Sequence, residues 1–148
     1  MSSIDNFSPN DFLSISNEIV NSIDDNHDIT IITSAEYAWV RSAISRAYYS
    51  AFLALRISLL DSNRWPTLQS HNIDDHKNLG NILFRLPPAF TPTANAFKNL
   101  RKRRNHADYD LPPTYNAILN HAKKSNLEAS QIISQVPFIE NYLASNIP

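Results

Sequence analysis

The feature that most narrows the fold is a run of 29 residues without glycine or proline, "SAEYAWVRSAISRAYYSAFLALRISLLDS", at positions 34–62. Tyr37, Val40, Ile44, Tyr48, Ala51, Leu55 and Leu59 recur along it at three- and four-residue steps, which predicts one helix of six turns. Thr33-Ser34 supplies the cap, and Glu36 falls in the first turn, where a carboxylate suits the helix dipole. At 1.5 Å per residue such a rod is roughly 40 Å long. Trp39, Ala47, Phe52 and Leu53 lie off the main stripe, so the helix is apolar around much of its circumference. A helix of this kind is central in a bundle or shared with a second subunit.

Prolines and caps divide the rest of the chain into further helices. Ser8-Pro9 reads as an N-cap followed by proline at the first helical position, and Phe12, Ile15, Ile19 and Ile23 form a stripe ending at Asp24-Asp25-Asn26. The segment "NRWPTLQSHN" reads as a loop, and "DITII" at 28–32 as briefly extended chain. A third helix is predicted over 74–86 on Leu79, Ile82, Leu83 and Leu86, stopped by Pro87-Pro88. A fourth starts at Thr91-Pro92 or Thr93, carries Phe97 and Leu100, and ends near Asp110, ahead of Pro112-Pro113. A fifth follows Thr114 on Tyr115, Ile118, Leu119, Ala122, Leu127, Ile132 and Ile133. Pro137 is expected to break or kink it, leaving "FIENYLASN" as a last short helix. The expectation is a single all-α domain over 1–148, an up-and-down bundle of four to five main helices.

Composition removes several functions. With no cysteine there is no disulfide, no thiol nucleophile and no cysteine-ligated zinc. One glycine, Gly80, cannot build a phosphate-binding glycine loop or a dinucleotide fingerprint. His71 and His76 lack a third ligand at usable spacing, so no metal and no cofactor are expected; His27 and His121 read as ordinary surface residues. The N-terminus has no basic or apolar leader, and no apolar run is long enough to span a bilayer, which points to a cytoplasmic protein without membrane contact. A formal net charge of −1 confines any attraction for polyanions to a local patch.

That patch is "NLRKRRNHADYD", residues 99–110. Five of the thirteen Lys and Arg residues fall within 98–104, with no acid between them. A charged outer face near a helix C-terminus would account for some of them. Four adjacent bases repel one another, however, and they adjoin His106 and Tyr109. Cutting RNA without a metal needs an acid/base near neutral pKa and cations to hold the phosphate. Histidine supplies the first and arginine the second. Arg101 and His106 stand in Arg-x4-His spacing. In "SRAYYSAF", Arg46 sits among apolar neighbours and calls for a partner, with Asp108 and Asp110 as candidates, while Tyr48 is expected inside.

Together, "SRAYYSAF" on a long second helix and "LRKRRNHADYD" near the end of the fourth resemble the HEPN domains (higher eukaryotes and prokaryotes nucleotide-binding). Order, spacing and helix count agree over nearly the whole chain. The resemblance implies a helical bundle, often a homodimer, with an Arg-x4-6-His motif from each copy forming a metal-independent ribonuclease site. It also implies contexts: toxin–antitoxin pairs with nucleotidyltransferases, and phage-defence or CRISPR effectors. Other members bind RNA, nucleotides or partners without catalysis. Carried onto this chain, Arg101, Arg104 and His106 are the catalytic candidates; Lys98, Lys102, Arg103, Asn105, Tyr109 and Arg46 are the RNA-binding or supporting ones. Two frames stay open. Arg104-Asn105 matches the start of the family motif but places Tyr109 at its end; Arg101 places His106 there but is followed by Lys102. A tyrosine, with a pKa of about 10, is a poor base at neutral pH.

Overall fold

The computed structural model describes residues 8–25, 34–61, 75–109 and 115–145. They form five helices: α1 (Pro9–Asp25), α2 (Ser34–Asp61), α3 (Asp75–Arg85), α4 (Thr91–Tyr109) and α5 (Tyr115–Ser145), with a 3-10 turn at Pro88–Phe90. No strand occurs among the described residues. None of these helices is long and apolar enough to cross a membrane. The segment 28–32, the loop at 63–72, His27, His71 and Asp110 lie outside the described residues.

α2 runs unbroken, as its sequence predicts, and packs against α1, α3, α4 and α5. Its centre is fully buried from Val40 through Ala43, Ile44, Ala47, Tyr48, Ala51, Leu55 and Leu59. Around it the core divides in two. The larger part joins the C-terminal half of α2 to Leu79, Ile82 and Leu83 of α3, Phe97 and Leu100 of α4, and Ile132, Ile139 and Leu143 of α5. The smaller joins Val40, Ala43 and Ile44 to Val20 and Ile23 of α1, Ala107 of α4, and Ile118 and Ala122 of α5.

α1 starts at Pro9 as expected, and the side chain of Asp11 caps it: the Ser8 N–H donates to Asp11 Oδ2 at 2.8 Å, while the Asp11 N–H donates to the Ser8 backbone carbonyl at 3.0 Å. Its buried face is Ser16, Val20 and Ile23, one residue round from the expected stripe; Phe12, Ile15 and Ile19 are only half-buried. Ser16 pulls the register over. Its hydroxyl donates to the Ala43 carbonyl of α2 at 2.6 Å and meets the Asn126 carboxamide of α5. A buried hydroxyl with partners on two helices keeps its place on the inner face.

Pro137 does not end α5, which continues to Ser145 as one helix, so the separate last helix is not present. A mid-helix proline leaves one carbonyl without its amide, at a cost of about 3 kcal/mol. Ile132, Ile139 and Leu143 lie on both sides of it in the same core, and their burial offsets that cost. α3 ends at Arg85, and Pro87-Pro88 beyond it are two successive residues with no N–H to carry the helix on.

Candidate functional site

The two stretches picked out in the sequence meet in space. Arg104 of α4 lies over the adjacent tyrosines of α2, its guanidinium carbon 5.0 Å from the Tyr48 ring centre and 5.2 Å from that of Tyr49. Its Nη2 donates to the Tyr49 hydroxyl at 3.3 Å. Cation–π contact and a planar fork hold the arginine in place.

Beneath it is an aromatic stack. Tyr48 is fully buried, as expected, and packs against Phe52, Phe97 and the imidazole of His76, ring centres 5.9, 5.6 and 5.5 Å away. His76 also stacks on Phe52 at 4.0 Å. Tyr48 Oη and His76 Nδ1 are 2.5 Å apart. Burial pushes the Tyr48 phenol well above its ordinary pKa, so it keeps its proton. Burial, then the cations Arg104 and Arg101, lower the pKa of His76. A protonated phenol thus meets a neutral imidazole, and one hydrogen bond joins Tyr48 Oη to His76 Nδ1.

His76 is placed by its neighbour. Asp75, 2% exposed, receives Arg56 Nε of α2 at 2.8 Å, which ties the start of α3 to the central helix.

The cationic run of α4 divides by helical angle. Arg101 and Arg104, three apart, share a side. Arg101 lines an open groove between α3 and α4 with Lys98, Lys102, Asn105 and, from α3, Lys77. Arg103 turns to α5, where Nε donates to Ser125 Oγ at 3.1 Å and Nη2 pairs with Glu128. His106 is exposed and stands about 200° around the helix from Arg104, and about 140° from Arg101. It faces the region of His121, whose pKa is lowered by burial first, then by Arg103, Lys124 and His106. His121 is thus half-buried rather than an ordinary surface residue, its Nδ1 buried without a hydrogen bond among the described residues. Tyr109 closes α4; its side chain and that of Asp108 lie outside the described residues.

Arg46 Nη1 donates to Ser42 Oγ at 2.5 Å, and its buried Nε has no hydrogen bond among the described residues. Along α2 it falls where the two parts of the core meet. Among the described residues no three His, Asp or Glu side chains are grouped to hold a metal ion.

So Arg101 and Arg104 come together, and His106 does not join them within one chain. The histidine beside Arg104 is His76, which sequence reasoning passed over. A lone histidine in the first turn of α3 carries no local sign that it stacks on an α2 aromatic 24 residues earlier. Lys77, Gly80, Asn81 and Phe84 were also missed as a site. Their i, i+3, i+4, i+7 spacing marks one face of α3, next to the Leu79, Ile82, Leu83 stripe.

No protein-family model, no curated protein and no solved structure matches this chain.

Proposed function

We propose that the chain is a HEPN-type RNA-targeting protein that grips the RNA backbone along α4 and, as a homodimer, cuts it without a metal ion at a site built from two copies. One observation carries the reading: Arg104 rests on Tyr48 and Tyr49, so the cationic run is joined directly to "SRAYYSAF". Beside it, Lys77, Lys98, Arg101 and Lys102 line an open groove with no acid among its described lining residues. Cations in such a row suit successive phosphates of a strand.

Catalysis needs the second copy. His106 stands far around α4 from Arg104, so one chain cannot aim both at one phosphate. Across a two-fold axis, His106 of one copy takes the 2′-hydroxyl proton while Arg101 and Arg104 of the other hold the phosphate. The 2′-oxygen bonds to phosphorus, the bond to the 5′-oxygen breaks, and the leaving oxygen takes a proton from water, to which the imidazolium returns its own.

The test is incubation of the purified protein with a mixed RNA pool in EDTA. Cleavage is expected, with losses of roughly 100-fold or more for His106→Ala and Arg104→Ala. Cleavage unchanged in His106→Ala would remove the catalytic assignment. The same position of His106 favours a second reading, a non-catalytic HEPN module that binds RNA, a nucleotide, a nucleotidyltransferase or an effector-complex partner. Its signature is RNA binding without turnover by a protein that light scattering finds monomeric.

A further inference from the structure

The groove between α3 and α4 has two chemically different ends. It encloses about 560 Å³. α3 and α4 are joined only by residues 86–90 and run back alongside each other; His76 at the start of α3 feels Arg101 and Arg104 in the second half of α4. Lys77 therefore lies toward Arg101 and Asn105, and Phe84 toward Phe97 and Lys98. One end holds Lys77, Arg101 and Asn105, and the other sets the aromatic ring of Phe84 beside Lys98. Lys77 and Phe84 are seven residues apart, roughly 10 Å along the helix.

Phe84 is 48% exposed, an aromatic ring turned to solvent on the groove wall. Phe97, at the same end, is buried and stacked on Tyr48, which gives the wall a rigid backing. Asn81 between the ends and Asn105 at the Lys77 end present carboxamides, each with two donors and an acceptor.

The only glycine of the chain points the same way. Gly80 lies inside α3, where glycine weakens a helix relative to almost any other residue. Packing does not demand it: a Cβ at that position would meet nothing within 4 Å. No left-handed backbone demands it either, since the residue is helical. What the missing side chain does is leave the groove open at its middle.

We infer that this groove holds one unpaired nucleotide of a bound RNA strand, the base stacked on Phe84 and the phosphate held by Lys77 and Arg101. The inference rests on the reading of the chain as RNA-targeting and adds what that reading lacks, a site for a base. Asn81, one turn from Phe84 on α3, reaches the edge of the base or its ribose. A base in a duplex is stacked on its neighbours and cannot reach Phe84, so the subsite selects single strands.

The test uses a fluorescein-labelled 2′-O-methyl RNA 12-mer, which cannot be cleaved through its 2′-oxygen, single-stranded or annealed to its complement. Binding is read by anisotropy on the full chain. Phe84→Ala is expected to weaken single-strand binding about tenfold or more, with duplex binding unchanged. Gly80→Leu fills the groove and is expected to weaken the same binding while its melting temperature stays at or above wild type. That pairing separates a blocked site from a damaged fold. If wild type, Phe84→Ala and Gly80→Leu bind the single strand equally, the subsite is overturned and the phosphate-gripping reading stands. No RNA binding by the wild type overturns both. Displacement of the 12-mer by micromolar AMP would reassign the groove to a free nucleotide and overturn the strand assignment.

Discussion

Tyr48 Oη of α2 and Nδ1 of His76 in the first turn of α3 share a hydrogen bond across 2.5 Å, under the guanidinium of Arg104. This bond ties α2 to α3 at a histidine hemmed in by cations. Tyr48→Phe keeps the ring contacts and leaves Nδ1 without its partner. The expected cost is about 1 kcal/mol, a fall in melting temperature of about 2 to 4 °C by circular dichroism. An unchanged melting temperature would show that the bond contributes nothing.

The same histidine makes stability depend on pH. Burial and the two arginines hold its folded pKa below the unfolded value of 6.5. Below that value the unfolded chain binds a proton that the folded chain refuses, so stability is intact above pH 6.5 and declines as pH falls. His121 is shifted in the same direction and adds to the decline. Melting at pH 7.5 and pH 5 should show the loss, and His76→Gln, whose carboxamide can bond Tyr48 without titrating, should reduce it. A slope unaltered by His76→Gln would place the effect elsewhere.

Arg104→Lys keeps the charge and removes the planar fork from the tyrosine rings. RNA affinity is expected to fall about tenfold, with a stability loss on the order of 1 kcal/mol from the lost ring contacts. Anisotropy titration of the lysine variant decides it, since affinity equal to wild type would reduce Arg104 to a point charge.

The proposed phosphate grip of the groove predicts a strong salt dependence of RNA binding. Log affinity should fall linearly with log salt, and replacing Lys98, Arg101 and Lys102 together by alanine should flatten that slope by about 2. Equal slopes in wild type and variant between about 50 and 200 mM salt would exclude the groove as the phosphate contact.

Arg103 should behave differently from its neighbours. It is paired with Glu128 and Ser125, with little of either charged side chain in water. Glu128→Ala leaves the guanidinium half-partnered and is expected to cost about 2 kcal/mol by urea denaturation. RNA affinity should hold, because Arg103 faces α5 rather than the groove.

Local pattern carried the helices and only part of the site. α2 was readable because glycine and proline are absent and its period holds for six turns. α1 was readable to within one residue of rotation, and that residue was decided by Ser16, a polar side chain whose partners lie on other helices. Pro137 was misjudged because the cost of a proline is local, whereas the burial that offsets it comes from α2, α3 and α4. Arg104 could be picked out from its neighbours in sequence, but its seat on Tyr48 and Tyr49 spans 55 residues. His76 had no local signature at all. Gly80 was noticed for what one glycine cannot build, and its meaning appeared only when the space beside it was known.

The seat of Arg104 also sets when disorder is lost. An arginine side chain has about 2 kcal/mol of rotamer entropy to give up when it grips a ligand. Here the tyrosine rings and the Tyr49 hydroxyl restrict those rotamers as the bundle forms. A phosphate arriving at Arg104 meets a side chain whose freedom is already gone, so the ordering belongs to folding, and the ligand's encounter with this residue becomes fast and geometrically selective.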